Sequence, residues 1–227
     1  MRLTTAVPER RTSADIVFET LYDRIVSLGL MPGEKMSEAD IAEQFGVSRQ
    51  PVRDAFNRLG NMNLLLIQPQ RATLVRKFSI SDIAASRFVR LAVELEIAKT
   101  ASRRWTVDAT RRIEALLENQ DLAVRQNDVR DFLELDQAFH AEIAEVARQP
   151  EAFEVVLENK ARLDRICVLS LKRVDEMARL VEDHRQIAAA LARGNVVEME
   201  QALRLHLSRI DETIDSVRAS HAEYFEA

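Results

Sequence analysis

Residues 37–62, SEADIAEQFGVSRQPVRDAFNRLGNM, decide the fold. Ser37 offers a hydroxyl acceptor to the first-turn amides of a helix, and Glu38 and Asp40 stand where the helix dipole favours anions. Gly46 supplies the left-handed residue on which helices often end. Only Val47 separates it from Ser48, a second N-cap, so two helices meet across a tight turn and form a helix-turn-helix. In the second helix Val52, Phe56 and Leu59 recur at i, i+4 and i+7 on one face. Arg49 and Arg53 share a different face.

Upstream, Thr12 or Ser13 followed by Asp15 reads as an N-cap, and Ile16, Val17, Leu21, Ile25 and Leu28 keep helical spacing until Gly29. Downstream, residues 64–68 and 73–76 read as two short strands around Pro69-Gln70-Arg71-Ala72, a winged hairpin. From Ser79 onward the pattern is helical throughout, over 80–104, 107–125, 129–148, 151–172, 174–193 and 196–221, with short connections. The predicted fold is mostly α: an N-terminal winged helix-turn-helix domain over 1–78, then an antiparallel six-helix bundle over 79–227.

Composition supports that division. The chain has 227 residues, 47% hydrophobic and 30% charged, which excludes disorder. Five glycines and five prolines leave few breaks for helices, and most of them fall between 30 and 70. No apolar run approaches the roughly 20 residues of a membrane span. The N-terminus does not read as a secretory signal, so the expected location is the cytoplasm. A single cysteine, Cys167, precludes an internal disulfide and a thiolate zinc cage, and it reads as a core residue. The net charge of −5 argues weakly against nucleic acid, yet residues 49–77 hold Arg49, Arg53, Arg58, Arg71, Arg76 and Lys77 against the one acid Asp54. A helix fits the major groove, where Arg49 and Arg53 can present paired donors to guanine while Ser48 and nearby amides take phosphates.

The bundle carries a second pattern. Asp136 and His140 are i and i+4 on one helix. His184 lies ten residues before Gly194 and His206 twelve after it, about 15 and 18 Å of helix, so a reversal at Arg193-Gly194-Asn195 brings the two histidines to similar height. One carboxylate and three imidazoles suit a divalent ion, with zinc first and nickel or manganese as alternatives. Each histidine also has a plainer reading as a hydrogen-bonded core residue.

The stretch 28–59, LGLMPGEKMSEADIAEQFGVSRQPVRDAFNRL, resembles the DNA-binding domain of the GntR family, with its PG, SE, LA and GVSR-PVR elements. ELDQAFHAEI, VEDHRQIAAALARGN and ALRLHL resemble the FCD domain of the FadR subfamily, and the length fits its VanR-like branch. The resemblance implies that Arg49 and Arg53 read bases, with Ser48 and Gln50 beside them and Arg71 at the wing tip in the minor groove. It implies that Asp136, His140, His184 and His206 hold the ion. RFVRLAVELEIAKTAS is similar to the family's R-x3-E segment, which makes Arg90 a candidate anchor for an effector carboxylate; the alternative is a surface pair with Glu94. Three departures stand out: Asn63 and Ala72 replace glycines around the wing, and Arg148-Gln149 replaces a Gly-Asn pair. His221 is left outside the site.

The expected function is a ligand-responsive transcriptional regulator, a homodimer on a palindromic double-stranded DNA operator, sensing a small organic acid at the metal site, with no membrane contact. The alternative is a metal-dependent hydrolase or dioxygenase fused to a nucleic-acid-binding module, for which the chain has no HExxH and no general base at motif spacing.

Overall fold

A computed structural model describes residues 11–68, 71–170 and 174–226. The N-terminal residues read for a secretory signal, the Pro69-Gln70 wing tip and the helix end at Lys172 lie outside or run beyond the described residues. The chain divides into two compact units, Met1–Arg76 and Lys77–Ala227.

In the first unit, helix α1 (Ser13–Val26) starts at a capping box: the Thr12 hydroxyl accepts from the Asp15 amide, and the Asp15 carboxylate accepts from the Thr12 amide. The helix stops earlier than its apolar pattern, because Leu28 takes φ 61 and the Leu30 amide turns back to the Arg24 carbonyl at 2.9 Å. Strand β1 (Lys35–Met36) leads into α2 (Glu38–Phe45), whose first amides bond to the Ser37 hydroxyl and whose end is Gly46 at φ 63. Helix α3 (Arg49–Asn61) follows, then β2 (Leu65–Leu66) and β3 (Thr73–Val75). Val17, Leu21 and Ile25 of α1 and Val52, Phe56 and Leu59 of α3 are fully buried. Each such side chain contributes about 1.5–3 kcal/mol of burial, which makes this helix pair the core of the unit.

The wing is a three-stranded antiparallel sheet in the order β1-β3-β2, with Leu74 opposite Lys35 on one side and Leu66 on the other. The strands are shorter than predicted, and β1 carries no sequence pattern because two residues cannot show a period. Asn63 takes the left-handed conformation (φ 57) that its short polar side chain tolerates, whereas Ala72 has no positive φ and so does not need glycine.

The second unit is the helical bundle: α4 (Ile80–Ser102), α5 (Val107–Gln126), α6 (Val129–Ala147), α7 (Pro150–Ser170), α8 (Val174–Ala192) and α9 (Val196–Ser220). Its main core includes Leu95, Ile113, Phe132, Phe139, Val181 and Leu203. A second cluster joins Phe78 and Ile83 to Leu163 and Ile166 of α7 and to Ile214 and Val217 of α9. The C-terminus completes it: the Phe78 amide donates to the Tyr224 carbonyl and the Glu226 amide to the Phe78 carbonyl, both at 2.8 Å, with the Phe78 and Phe225 rings 5.2 Å apart. Helices α5 and α6 end on left-handed Asn127 (φ 52) and Arg148 (φ 57), and Gly194 (φ 65) reverses the chain between α8 and α9. Among the described residues no helix is long and apolar enough to cross a membrane.

Candidate functional site

Asp136 and His140 project from one face of α6, His184 from α8 and His206 from α9, and all four are buried. Their donor atoms converge. His206 Nε2 lies 3.2 Å from His140 Nε2 and 3.3 Å from His184 Nε2, and Asp136 Oδ1 lies 3.4 and 3.9 Å from the Nε2 atoms of His184 and His140. Four donors about 2.1 Å from a shared ion would stand roughly 3.0–3.4 Å apart at adjacent positions, so the spacing fits a divalent cation.

The surrounding hydrogen bonds decide which face of each ring looks inward. Gln120, fully buried on α5, donates its Nε2 to the Leu135 carbonyl at 3.0 Å, which leaves its Oε1 as an acceptor for His184 Nδ1 at 2.9 Å. The proton of His184 therefore sits on Nδ1 and its Nε2 lone pair faces the cluster. Glu94 of α4 does the same for His140, accepting from Nδ1 at 2.6 Å. Phe139 stacks on the His184 ring at 4.2 Å and limits its rotation. Lys160 of α7 holds the other oxygen of Asp136 at 3.4 Å. Two bare imidazole nitrogens pointing at a third, with a carboxylate beside them, form a donor set suited to a cation.

Protonation is set the same way. Burial pushes all three imidazoles toward the neutral form, and His184, which also faces His206, falls to about 4. Burial alone would raise Asp136, but Lys160 and the histidines outweigh it and hold the carboxyl well below its usual range. Neutral imidazole and ionised carboxylate are the forms a metal takes.

Arg90 pairs with Glu94 at 2.5 Å, but Glu94 is buried and Arg90 half-buried, so this is not a surface pair, and the Arg90 NH2 group approaches His140 Nε2 to 3.3 Å. Arg90, Phe132, Asp136, Lys160, Cys167 and His206 are among the residues lining a cavity of about 60 Å³. Cys167 is half-buried, packed against the main core and lining this cavity, and burial pushes its thiol up to about 12. His221 stacks on Tyr224, away from the cluster. Glu94 was visible in the sequence only as a partner of Arg90; Gln120 and Lys160 carried no signal, since each acts across helices.

On the first unit, Ser48, Arg49, Gln50 and Arg53 are exposed at the N-terminal end of α3, opposite its buried face. The Ser48 hydroxyl makes no cap bond. Gln50 donates to Asp54 at 3.0 Å, and Arg53 is held by Glu38 of α2 through two nitrogens at 3.4 and 3.1 Å. Arg71 is exposed beside the wing tip. Part of the local basic charge is structural: Arg58 caps the Phe18 ring at 3.8 Å and bonds to Asp15, and Arg76 donates to Asn63 Oδ1 at 2.8 Å.

Residues 13–75 match the bacterial regulatory proteins of the gntR family, and residues 86–209 match the FCD domain. The chain is 31% identical over 209 residues to the HTH-type transcriptional repressor RspR of Escherichia coli K12, covering 92% of each chain. It is 24% identical over 208 residues to the HTH-type transcriptional regulator LutR of Bacillus subtilis, covering 82% of this chain and 93% of that one. Its fold is similar to that of E. coli McbR/YncC, with a TM-score of 0.78 at 20% identity over 91% of this chain and 99% of the other. A GntR regulator from Rhodococcus sp. RHA1 gives 0.73 at 23% identity, covering 89% and 97%.

Proposed function

This chain belongs to the GntR family of bacterial transcriptional regulators and carries an FCD domain, and from that premise we propose that it is a homodimeric, cytoplasmic regulator whose bundle senses a small carboxylate at a divalent metal centre. The hydrolase or dioxygenase alternative falls with the family, whose members compared above are transcriptional regulators. The observation that carries the sensing role is the convergence of Asp136, His140, His184 and His206, with two imidazole lone pairs turned inward by Gln120 and Glu94.

Asp136, His140, His184 and His206 would hold the ion, which supplies Lewis acidity toward an anionic ligand. The chain's own groups do the rest. Arg90, fixed by Glu94, presents guanidinium N–H groups beside the cluster, where a carboxylate can accept them. Lys160, neutralised in part by Asp164 at 2.6 Å, keeps Asp136 ionised and oriented. Phe132, Leu133 and Leu207 exclude water from the cavity wall, which strengthens each of these contacts.

For DNA, Arg49 and Arg53 are assigned to base edges, Ser48 and Gln50 to the flanking backbone, and Arg71 to the minor groove. Glu38 already orients Arg53. A single winged domain contacts too little DNA for tight specific binding at physiological salt, which favours a symmetric dimer on two half-sites. The ligand can alter operator binding only through unequal affinity for operator-competent and incompetent forms.

The test is metal analysis of protein purified without a histidine tag, followed by thermal-shift screening of small organic acids on the zinc-loaded protein. One bound ion per chain and an acid that raises the melting temperature and changes operator affinity are expected. A protein that binds operator as a monomer, or takes up no divalent ion, overturns the corresponding part of the reading.

A further inference from the structure

The three imidazoles differ in one respect. His140 and His184 have acceptors for Nδ1 in Glu94 and Gln120, whereas His206 Nδ1 is buried without a hydrogen-bond partner. Asp183 Oδ2 stands 3.8 Å from it, beyond hydrogen-bonding reach. Asp183 is buried, and each of its oxygens accepts from Arg209, whose Nε and NH2 donate at 3.0 Å each. The acceptor nearest His206 Nδ1 is thus drawn toward an arginine and stands beyond reach of the ring.

Arg209 also occupies a boundary. It lines the inner cavity with Asp136 and His206 of the donor cluster and, together with Leu180 and Thr213, lines a second cavity of about 100 Å³ between α8 and α9. There Arg179 pairs with Glu212 at 2.9 Å and Arg209 with Asp183 at 3.0 Å.

We propose that Arg209 is a specificity-determining residue that binds the distal carboxylate of a dicarboxylic acid whose other carboxylate lies at the Asp136/His140/His184/His206 cluster, and that in doing so it releases Asp183 to His206 Nδ1. This rests on the carboxylate-sensing reading above and deepens it. The exchange keeps Arg209 in a bidentate guanidinium–carboxylate pair and gives Asp183 the His206 N–H in place of the arginine, which supplies the buried hydrogen bond that His206 lacks. With Nε2 turned toward an ion, the single N–H of His206 is on Nδ1, and a carboxylate there fixes the ring and raises its basicity as a donor. A monocarboxylate reaches the cluster without displacing Asp183 and gains neither contact.

Succinate and butyrate have the same chain length and differ by one carboxylate. Calorimetric titration of both into zinc-loaded parent, Arg209→Gln and Arg209→Lys proteins tests the proposal, with zinc content and circular dichroism recorded for each. The parent is expected to bind succinate at least tenfold more tightly than butyrate. Arg209→Gln should keep its zinc and lose that preference, and Arg209→Lys, which retains the charge without the paired fork, should lose most of it. In the parent, imidazole ¹⁵N spectra should show the His206 Nδ1 proton protected from exchange with succinate and not with butyrate. A parent that binds both acids equally or prefers butyrate, or an Arg209→Gln protein that keeps the succinate preference, overturns the role of Arg209 alone. A zinc-loaded parent that binds neither acid overturns this proposal, and the carboxylate-sensing reading falls with it if no acid in the thermal-shift screen binds either.

Discussion

On α3 the groups assigned to DNA, Ser48, Arg49, Gln50 and Arg53, are exposed on a helix anchored by its opposite face, whereas in the bundle Asp136, His140, His184 and His206 are buried and come from three different helices. The first arrangement separates function from stability: α3 stays in place through Val52, Phe56 and Leu59 whatever its outer face carries. The second cannot separate them, because the buried ligating side chains are held by partners such as Gln120, Glu94 and Lys160 that are themselves part of the packing. Substitutions on α3 should therefore change binding while sparing the fold, and substitutions at the cluster should disturb both.

The largest expected effect is at the cluster. His184→Ala should lose bound metal and abolish the influence of an acid on operator binding, while operator affinity without acid stays within a few-fold of the parent. Metal analysis and fluorescence anisotropy on the operator check this. A variant that keeps both its metal and its full response would return the histidines to the role of core residues.

Acidification of the metal-free protein should divide the two units next. His184 has a folded value of about 4 against an ordinary 6.5, so between those pH values the unfolded chain binds the proton more readily and stability falls as pH falls. Over that window the loss from His184 is on the order of 3 kcal/mol, with His140 and His206 acting in the same direction. The first unit contains no histidine. Native-state hydrogen exchange at pH 7 and pH 5, corrected for intrinsic rates, should show α8 losing protection and α1 and α3 keeping it; equal losses in both units would contradict the assignment.

On the DNA side the effect is smaller and selective. Arg49→Ala or Arg53→Ala should cost about 1–3 kcal/mol on the operator and relax preference at one position, while Lys77→Ala should weaken all sequences alike. Thermal stability should change by no more than about 0.5 kcal/mol, as expected for an exposed side chain. An equal loss on specific and random DNA for Arg53→Ala would remove it from base recognition.

The smallest effects concern helix ends. Arg148 closes α6 at φ 57, where glycine carries no steric penalty, so Arg148→Gly should stabilise the bundle by up to about 1 kcal/mol. Gly46 closes α2 at φ 63 with nothing within 4 Å of an added Cβ, so Gly46→Ala should destabilise the first unit by about 1 kcal/mol through backbone strain alone. Shifts of a few degrees in opposite directions in thermal melts are the expected result.

Most helix limits were readable to within two or three residues, because caps such as Thr12 and Ser37 and the left-handed Gly46 and Gly194 act within a few residues of sequence. The early end of α1 at Val26, before the left-handed Leu28, and the extra strand Lys35–Met36 were not readable. The first depends on a backbone bond from Leu30 to Arg24, and the second exists only because β3 lies beside it.

The sequence by itself determined the helices, the turn between α2 and α3, and two pairs of donors, Asp136 with His140 on one helix face and His184 with His206 at one height; that the four act together was implied only by the resemblance to the FCD domain. Each follows from the 3.6-residue period or from counting along two helices that reverse at a single glycine. Tertiary structure alone decided how those donors are held: Gln120 against His184 across 64 residues, Lys160 against Asp136, Arg53 against Glu38, and Arg209 between Asp183 and two cavities. A helix repeats its direction every turn and so announces which of its own residues share a face. Which side chain from a neighbouring helix meets that face depends on the packing of several helices at once, and no local spacing records it.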